Sequence, residues 1–257
     1  MSSSVGVVVP AYRPDVDVLR RYLGELHAVL DPAVLRVELD APSPETVTAL
    51  SDTPAEVSTA DERRGKGAAI TAGFEALETD VLAFADADGS TPAESIEAVV
   101  TPVRAGEVDL AVGSRRHPDA DVRSHQSLLR RRLGDAFAWL ARRALDVSLF
   151  DYQCGAKALS RPTWESIRSH LYEPGFAWDL ELVSMAAATG ARIREVPVTW
   201  IDHPESTVAP RTVVPEMIAG LVATRHRARL LDDDPLSEAL DVYRNRSSPL
   251  VARMDRK

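Results

Sequence analysis

The feature that most constrains this chain is its alternation of short β-branched runs with stretches of helical periodicity. Val5–Val9 (VGVVV) is a continuous apolar run of strand length, closed by the turn Pro10–Pro14. From Asp15 onward Val16, Leu19, Tyr22, Leu23, Leu26, Val29 and Leu30 recur at helical spacing. Val34–Leu39, Ala55–Ser58, Val81–Ala85 and Val108–Val112 read as further strands, with helices at Pro44–Leu50 and Gly67–Leu77. Repeated βαβ units predict an α/β fold with a mostly parallel, doubly wound central sheet flanked by helices. In such sheets ligands bind beyond the carboxyl ends of the strands, so strand-end residues carry most weight.

The second half changes rhythm. Gln126–Leu145 predicts a long amphipathic helix, Asp151–Gly155 a polar turn, Thr163–His170 and Ala177–Ala188 helices, and Ile193–Trp200 a strand. Val213, Val214, Met217, Ile218, Leu221 and Val222 line one face of a segment that runs into basic residues up to Arg229. The expected organisation is one catalytic-type domain over 1–209, an amphipathic helical extension over 210–231, and a polar, flexible tail over 232–257.

Composition narrows the class. With 45% hydrophobic residues in 257, the chain can bury a full core, which excludes wholesale disorder. A single cysteine, Cys154, excludes an internal disulfide and a multi-cysteine metal site. No apolar run approaches the ~20 residues of a spanning helix, and the short apolar start lacks a preceding basic region, so neither a signal peptide nor a membrane span is expected. The net charge of −9 should repel nucleic acid. The bases are 27 Arg and only 3 Lys (Lys66, Lys157, Lys257). Excess acid with so little lysine points to a salt-rich cytoplasm of halophilic type; a GC-rich genome gives the same Arg bias.

Four local features can carry chemistry. In FADADGSTP, Asp86 and Asp88 stand one residue apart where a buried strand ends. If the extended conformation continues, both face one point, and their mutual repulsion calls for a hard divalent cation. A solvated acidic turn is the bland alternative. In DERRGKGAAITAGFEAL, a basic, glycine-rich turn precedes a helix, so backbone N–H groups with Arg64 and Lys66 could hold an anion. It is neither a Walker loop nor a dinucleotide fingerprint, since Ile70 takes the place of the third glycine. In GFAWDLEL, Asp179 and Glu181 lie in apolar surroundings that can raise a carboxyl pKa and make a general base, or simply cap a helix start. Two residues apart on a helix, they cannot share a face, so at most one enters any given site. Finally, Gly113–Leu145 holds eight Arg and three Asp, a local +5 interleaved with Leu, Phe and Trp. An arginine face beside an apolar face suits a membrane interface, or a helix packed with its arginines in solvent.

Taken together and in this order, VVVPAYRP (Val7–Pro14), RGKGAAITAGFEA, FADADGSTP, FDYQCGAKAL (Phe150–Leu159) and GFAWDLELVSMA with IREVPVTW resemble the family 2 glycosyltransferases of GT-A fold. The resemblance, spanning Val7 to about Val208, is to the branch that makes polyprenyl-phosphate sugars, such as dolichol-phosphate mannosyltransferase and dolichyl-phosphate glucose synthase. It implies a metal-dependent inverting hexosyl transfer from a UDP- or GDP-sugar to a polyprenyl (dolichyl) phosphate, for protein glycosylation or surface glycan assembly. The enzyme would sit peripherally on the cytoplasmic face of the membrane.

By the same resemblance, Pro10 and Tyr12 line the base pocket, Asp40 contacts base or ribose, and Lys66 lies near the nucleotide. Asp86 and Asp88 hold Mg²⁺ or Mn²⁺, with His203 near metal and diphosphate. Arg115 and Arg131 bind the acceptor phosphate, and Asp179 is the candidate catalytic carboxylate. Three departures stand out: Arg13 where Asn is common, Ala41 and Pro42 in LDAPSPET where a second aspartate and a glycine are usual, and Thr207 in place of a lysine. Two other functions remain open on the same residues. One is transfer to a soluble hydroxyl acceptor, which would need Asp179 as a true base. The other is a catalytically silent binding protein on this fold.

Overall fold

In the computed structural model the chain is described for residues 3–123, 128–201, 210–231 and 248–254, with 128–133, 135 and 210–216 described by backbone alone. The strands are β1 (Val5–Tyr12), β2 (Val34–Asp40), β3 (Glu56–Ala60), β4 (Val81–Ala85), β5 (Leu110–Ser114), β6 (Asp121–Arg123), β7 (Ala156–Ser160), β8 (Ile193–Pro197) and β9 (Thr199–Ile201). The helices are α1 (Val16–Leu30), α2 (Pro44–Leu50), α3 (Lys66–Ala76), α4 (Ala93–Arg104), α5 (Leu128–Ala144), α6 (Arg161–Ile167), α7 (Trp178–Ala188), α8 (Pro210–Leu231) and α9 (Leu250–Met254).

Local chemistry sets the helix starts. The Asp15 carboxylate accepts hydrogen bonds from the backbone N–H groups of Asp17 and Val18 at the head of α1. Ser43 and Ser160 cap α2 and α6 with proline in the first turn. Such caps satisfy N–H groups that have no partner within the helix.

Seven strands form the main sheet in the order β3-β2-β1-β4-β7-β5-β8. All neighbours are parallel except β7, which runs antiparallel between β4 and β5. Both faces are covered. Val7, Val9, Ala83 and Ala85 pack with Leu19, Leu23 and Leu26 of α1 and with Val99 and Val100 of α4. The alternate residues Val8, Leu82 and Phe84 pack with Ile70 and Phe74 of α3, Trp164 of α6 and Trp178 of α7. Burial on both faces is why the strands are unbroken apolar runs and not alternating ones.

Several features differ from the pattern-based expectation. Strand β1 runs on through Tyr12, where the pattern predicts a turn over Pro10–Pro14, because Pro10–Tyr12 stay paired with Glu38–Asp40 of β2. Helix α4 forms where the hydrophobic pattern assigns no element; it opens directly after Pro92 and carries Pro102 near its end. Strand β7 follows the expected turn, its AKALS composition disguised by a lysine at the second position. The single strand expected over Ile193–Trp200 is two. Strand β8 completes the main sheet beside β5, while β9 pairs in parallel with β6 in a separate two-stranded ribbon. The break follows Pro197, which lacks an N–H and is tolerated because β8 is an edge strand.

Of the segment expected to be a free tail, residues 248–254 are docked. Leu250 is buried, its N–H bonded to the Leu171 carbonyl, and Arg253 reaches the carbonyls of Ser248 and Tyr172. No helix among the described residues is long and apolar enough to cross a membrane.

Candidate active site at the carboxyl ends of the strands

Strands β2 and β4 flank β1 on opposite sides, so the chain reverses its direction of growth there, and in open α/β sheets ligands bind outside the carboxyl ends of the strands at such a point. Pro10 is buried near the end of β1 in register with Glu38. Tyr12, the last residue of β1, is partly exposed, with the Arg63 guanidinium 4.4 Å and that of Arg13 5.2 Å from its ring centroid.

Asp40 ends β2 and is buried. One of its oxygens accepts the N–H groups of Arg64 and Gly65, at 2.8 and 2.9 Å, and the other accepts Arg64 Nε at 2.7 Å. The anion at this basic turn is thus supplied by the protein. Arg64 is spent on Asp40 and on buried Glu38 (2.9 Å), while Arg63 lies over Tyr12 and Lys66 turns toward Asp86 and Asp179. Gly65 sits at φ 97°, and a Cβ there would lie 2.6 Å from the Pro174 carbonyl oxygen, so only glycine fits.

Two of the chain's three lysines converge on Asp179. Lys66, at the start of α3, places Nζ 3.0 Å from Asp179 Oδ2 and 2.9 Å from Asp86 Oδ1. Lys157, in β7, places Nζ 2.6 Å from Asp179 Oδ1 and donates to the Cys154 carbonyl at 2.8 Å. Both ammonium groups lie over the Phe84 ring, at 5.2 and 5.5 Å. Burial pushes the Asp179 carboxyl up, but Lys157 and Lys66 outweigh it and hold the group below the usual carboxylate range. This corrects the expectation of a raised pKa: the apolar setting is real, and the two cations reverse its effect. For Lys66, burial favours the neutral amine, yet Asp179 and Asp86 prevail and the ammonium is stabilised.

Glu181 takes no part. It points away from Asp179, accepting the N–H groups of Tyr172 and Glu173 and the Arg227 guanidinium of α8. Its carboxyl is pushed up by burial.

Asp86 follows the last residue of β4, its N–H bonded to the Gly155 carbonyl, and its side chain is 40% exposed. A side chain at Gly155 would run into the Asp86 carboxylate, so that glycine is the space Asp86 occupies. The extended conformation stops there: Ala87 and Asp88 turn, and the exposed Asp88 accepts the Ser90 N–H at 2.9 Å. Both carboxylates lie within electrostatic reach of the buried Tyr22 hydroxyl, whose pKa is raised by burial and then by their charges and which donates to the Thr91 carbonyl.

Two hard oxygen donors just beyond the end of β4 fit Mg²⁺ or Mn²⁺. No group of three or more potential His, Cys, Asp or Glu ligands occurs among the described residues. His203 lies outside the described residues.

Arg115 follows β5 and is held by buried Asp151, with Nε 2.7 Å and Nη2 3.0 Å from the two carboxylate oxygens. Burial raises the Asp151 carboxyl, but Arg115 overrides it and holds it well below the ordinary range. The guanidinium lies 5.7 Å from the Trp200 ring centroid. The backbone of Arg131 is in α5, and its side chain lies outside the described residues.

Lys157, Asp151 and Arg63 are residues to which sequence reasoning assigned no role. The available signal was scarcity: a lysine inside a strand, in a chain that otherwise avoids lysine.

Glycosyltransferase AglD of Haloferax volcanii is 38% identical over 142 residues, covering 54% of this chain and 22% of that protein. The dolichyl-phosphate beta-glucosyltransferase of Drosophila melanogaster is 30% identical over 58% of this chain and 47% of its own length. The chain thus spans less than half the length of these two relatives. The undecaprenyl-phosphate mannosyltransferase of Micrococcus luteus is 31% identical over 206 residues, 76% of this chain and 83% of that one. Among solved structures, glucosyl-3-phosphoglycerate synthase from Mycobacterium tuberculosis, in complex with Mn²⁺, UDP-glucose and phosphoglyceric acid, superposes with a TM-score of 0.67. It is 18% identical, over 87% of this chain and 80% of that one, and shares the GT-A fold. Residues 7–163, from β1 into α6, match the Glycosyl transferase family 2, and the chain belongs to that family.

Proposed function

We propose that the chain transfers a hexosyl group, with inversion, from a UDP- or GDP-sugar to a polyprenyl phosphate of dolichyl type. The relatives named for dolichyl-phosphate and undecaprenyl-phosphate transfer support this acceptor class. The observation that carries it is the state of Asp179. A carboxylate clamped by Lys66 and Lys157 below its usual range is a poor proton acceptor near neutral pH. A phosphate acceptor, already ionised, needs no base, whereas a hydroxyl acceptor does.

In this reading an acceptor phosphate oxygen bonds to the anomeric carbon as the bond to the donor diphosphate breaks, and the electron pair leaves with the diphosphate. No proton moves. Asp179, kept ionised by the two lysines, holds their ammonium groups in place at the donor end of the site. Tyr12 and Arg63 offer a flat, cationic surface for the base. Arg115, oriented by Asp151, meets the acceptor phosphate, with Arg131 as the second cation. Asp86 and Asp88 would hold Mg²⁺ or Mn²⁺, which supplies charge neutralisation for the departing diphosphate when bound.

Association with the cytoplasmic face of the membrane belongs to the same proposal. Helices α5 and α8 pack on each other and expose Trp139, Leu140, Ile218 and Val222, with Arg143 stacked on Trp139. Apolar side chains beside arginines suit a bilayer with anionic headgroups.

The test incubates the chain with labelled UDP- and GDP-sugars and either a polyprenyl phosphate or phosphoglycerate as acceptor. Label extracted into organic solvent only with the lipid phosphate supports the proposal. Transfer to phosphoglycerate alone overturns the acceptor assignment.

A further inference from the structure

A cation already stands at the carboxylate assigned to the metal. Lys66 Nζ lies 2.9 Å from Asp86 Oδ1, and its side chain is only 12% exposed. The sequence of contacts Lys157–Asp179–Lys66–Asp86 carries two positive and two negative charges and is neutral as it stands. Its ends differ. Asp179 is buried and has Lys157 on its second oxygen, whereas Asp86 is the exposed end.

Lys66 can therefore give up Asp86 and keep Asp179, losing one ion pair of two. Its backbone is fixed at the head of α3, where the next residue, Gly67, is packed against Trp178, which keeps the root of the side chain beside Asp86 and Asp179. A divalent ion on Asp86 would face this ammonium across a few ångströms of partly dry protein, where like charges repel strongly. A donor diphosphate brings the negative charge that lets both cations share the site.

We propose that Lys66 is an internal counter-ion that competes with a divalent cation for Asp86, so that metal binding depends on the diphosphate of the donor. The inference rests on the metal reading of Asp86 and Asp88 given above. Coupling of this kind is reciprocal: the metal strengthens diphosphate binding by the same factor.

The experiment is a Mn²⁺ titration followed by the electron paramagnetic resonance of free Mn²⁺, without nucleotide and with saturating UDP or GDP. Wild-type chain should bind Mn²⁺ weakly alone and at least about tenfold more tightly with the diphosphate. Lys66→Met should bind Mn²⁺ alone about tenfold more tightly than wild type, with the nucleotide dependence correspondingly reduced. Asp179→Asn should shift the other way, because Lys66 then has Asp86 as its remaining carboxylate. This second variant also decides the matter should Lys66→Met fail to fold.

A folded Lys66→Met with wild-type Mn²⁺ affinity, or an Asp179→Asn that binds Mn²⁺ as tightly as wild type, overturns the counter-ion role. The metal reading then stands if Asp86→Ala/Asp88→Ala abolishes binding. If wild type binds no Mn²⁺ under either condition, or the double variant binds it undiminished, the metal reading itself fails and this inference with it.

Discussion

Lys157 reaches Asp179 from the second residue of the antiparallel strand β7, its Nζ 2.6 Å from Oδ1 and fully enclosed. The pair joins β7 to α7 through the middle of the candidate site. It explains how a carboxylate in an apolar pocket stays ionised, and with Lys66 on the other oxygen it makes Asp179 a fixed charge.

Removing one partner of such a buried pair leaves the other poorly compensated. Lys157→Met should destabilise the fold by about 3 kcal/mol, lowering Tm by roughly 6–12 °C. Asp179→Asn should lower kcat by about 10²–10³-fold, since it deletes the charge while keeping the shape. Thermal melts and single-turnover assays of the two variants separate these effects. A Lys157→Met protein as stable as wild type would show that the pair does not hold the site together.

Gly155→Ala tests the Asp86 cradle. The added methyl group meets the outer end of a partly exposed side chain, which can swing away cheaply, so stability should change by less than ~1 kcal/mol. Metal-dependent transfer should nonetheless fall at least about tenfold, because the carboxylate is displaced. Asp86→Ala/Asp88→Ala should abolish metal-dependent transfer altogether. Retained turnover in the double variant would remove both residues from the site.

The two buried aspartates set the acid limb of stability. Asp151 and Asp179 are held below the ordinary carboxylate value of 3.8 in the folded chain. A group whose folded pKa is depressed contributes stability above its unfolded pKa and loses that contribution as pH falls. The urea midpoint should therefore drop below about pH 4, and the gap between wild type and Asp151→Asn, constant at higher pH, should narrow over the same range. A gap independent of pH would show that Asp151 acts by shape alone.

Arg13 and Ala41, two of the departures from the usual family pattern, have left-handed backbone, φ 49° and φ 45°. Asn and Asp enter that region more readily than other side chains. Ala41→Asn, at an exposed position, should stabilise the chain by about 0.5–1 kcal/mol, raising Tm by about 2–3 °C. Calorimetry that finds a lower Tm would mean the position is not strained.

Membrane association depends on the exposed faces of α5 and α8. Trp139→Glu with Val222→Glu should abolish co-sedimentation with anionic vesicles while leaving transfer to a detergent-dispersed short-chain acceptor unchanged. Undiminished sedimentation would place the membrane contact elsewhere.

Sequence patterning alone determined the alternating elements, the doubly wound class and the strand-end setting of Asp40 and Asp86, because short-range periodicity and caps act within a few residues; that β1 runs on to Tyr12 came from the sheet. It also settled that Asp179 and Glu181 serve different places, which follows from helix geometry. Tertiary structure decided the rest. Insertion of β7 antiparallel between β4 and β5 brings the beginning of that strand to the same edge as the carboxyl ends of its neighbours, delivering Lys157 to Asp179 across 22 residues of chain. Asp40 found its cation in Arg64, 24 residues on, so the basic turn that looked ready for a ligand is folded around the protein's own carboxylate. Whether a buried charge is a base, a ligand or a fixed counter-charge depends on partners distant in sequence and on the water excluded between them, and no local pattern encodes either.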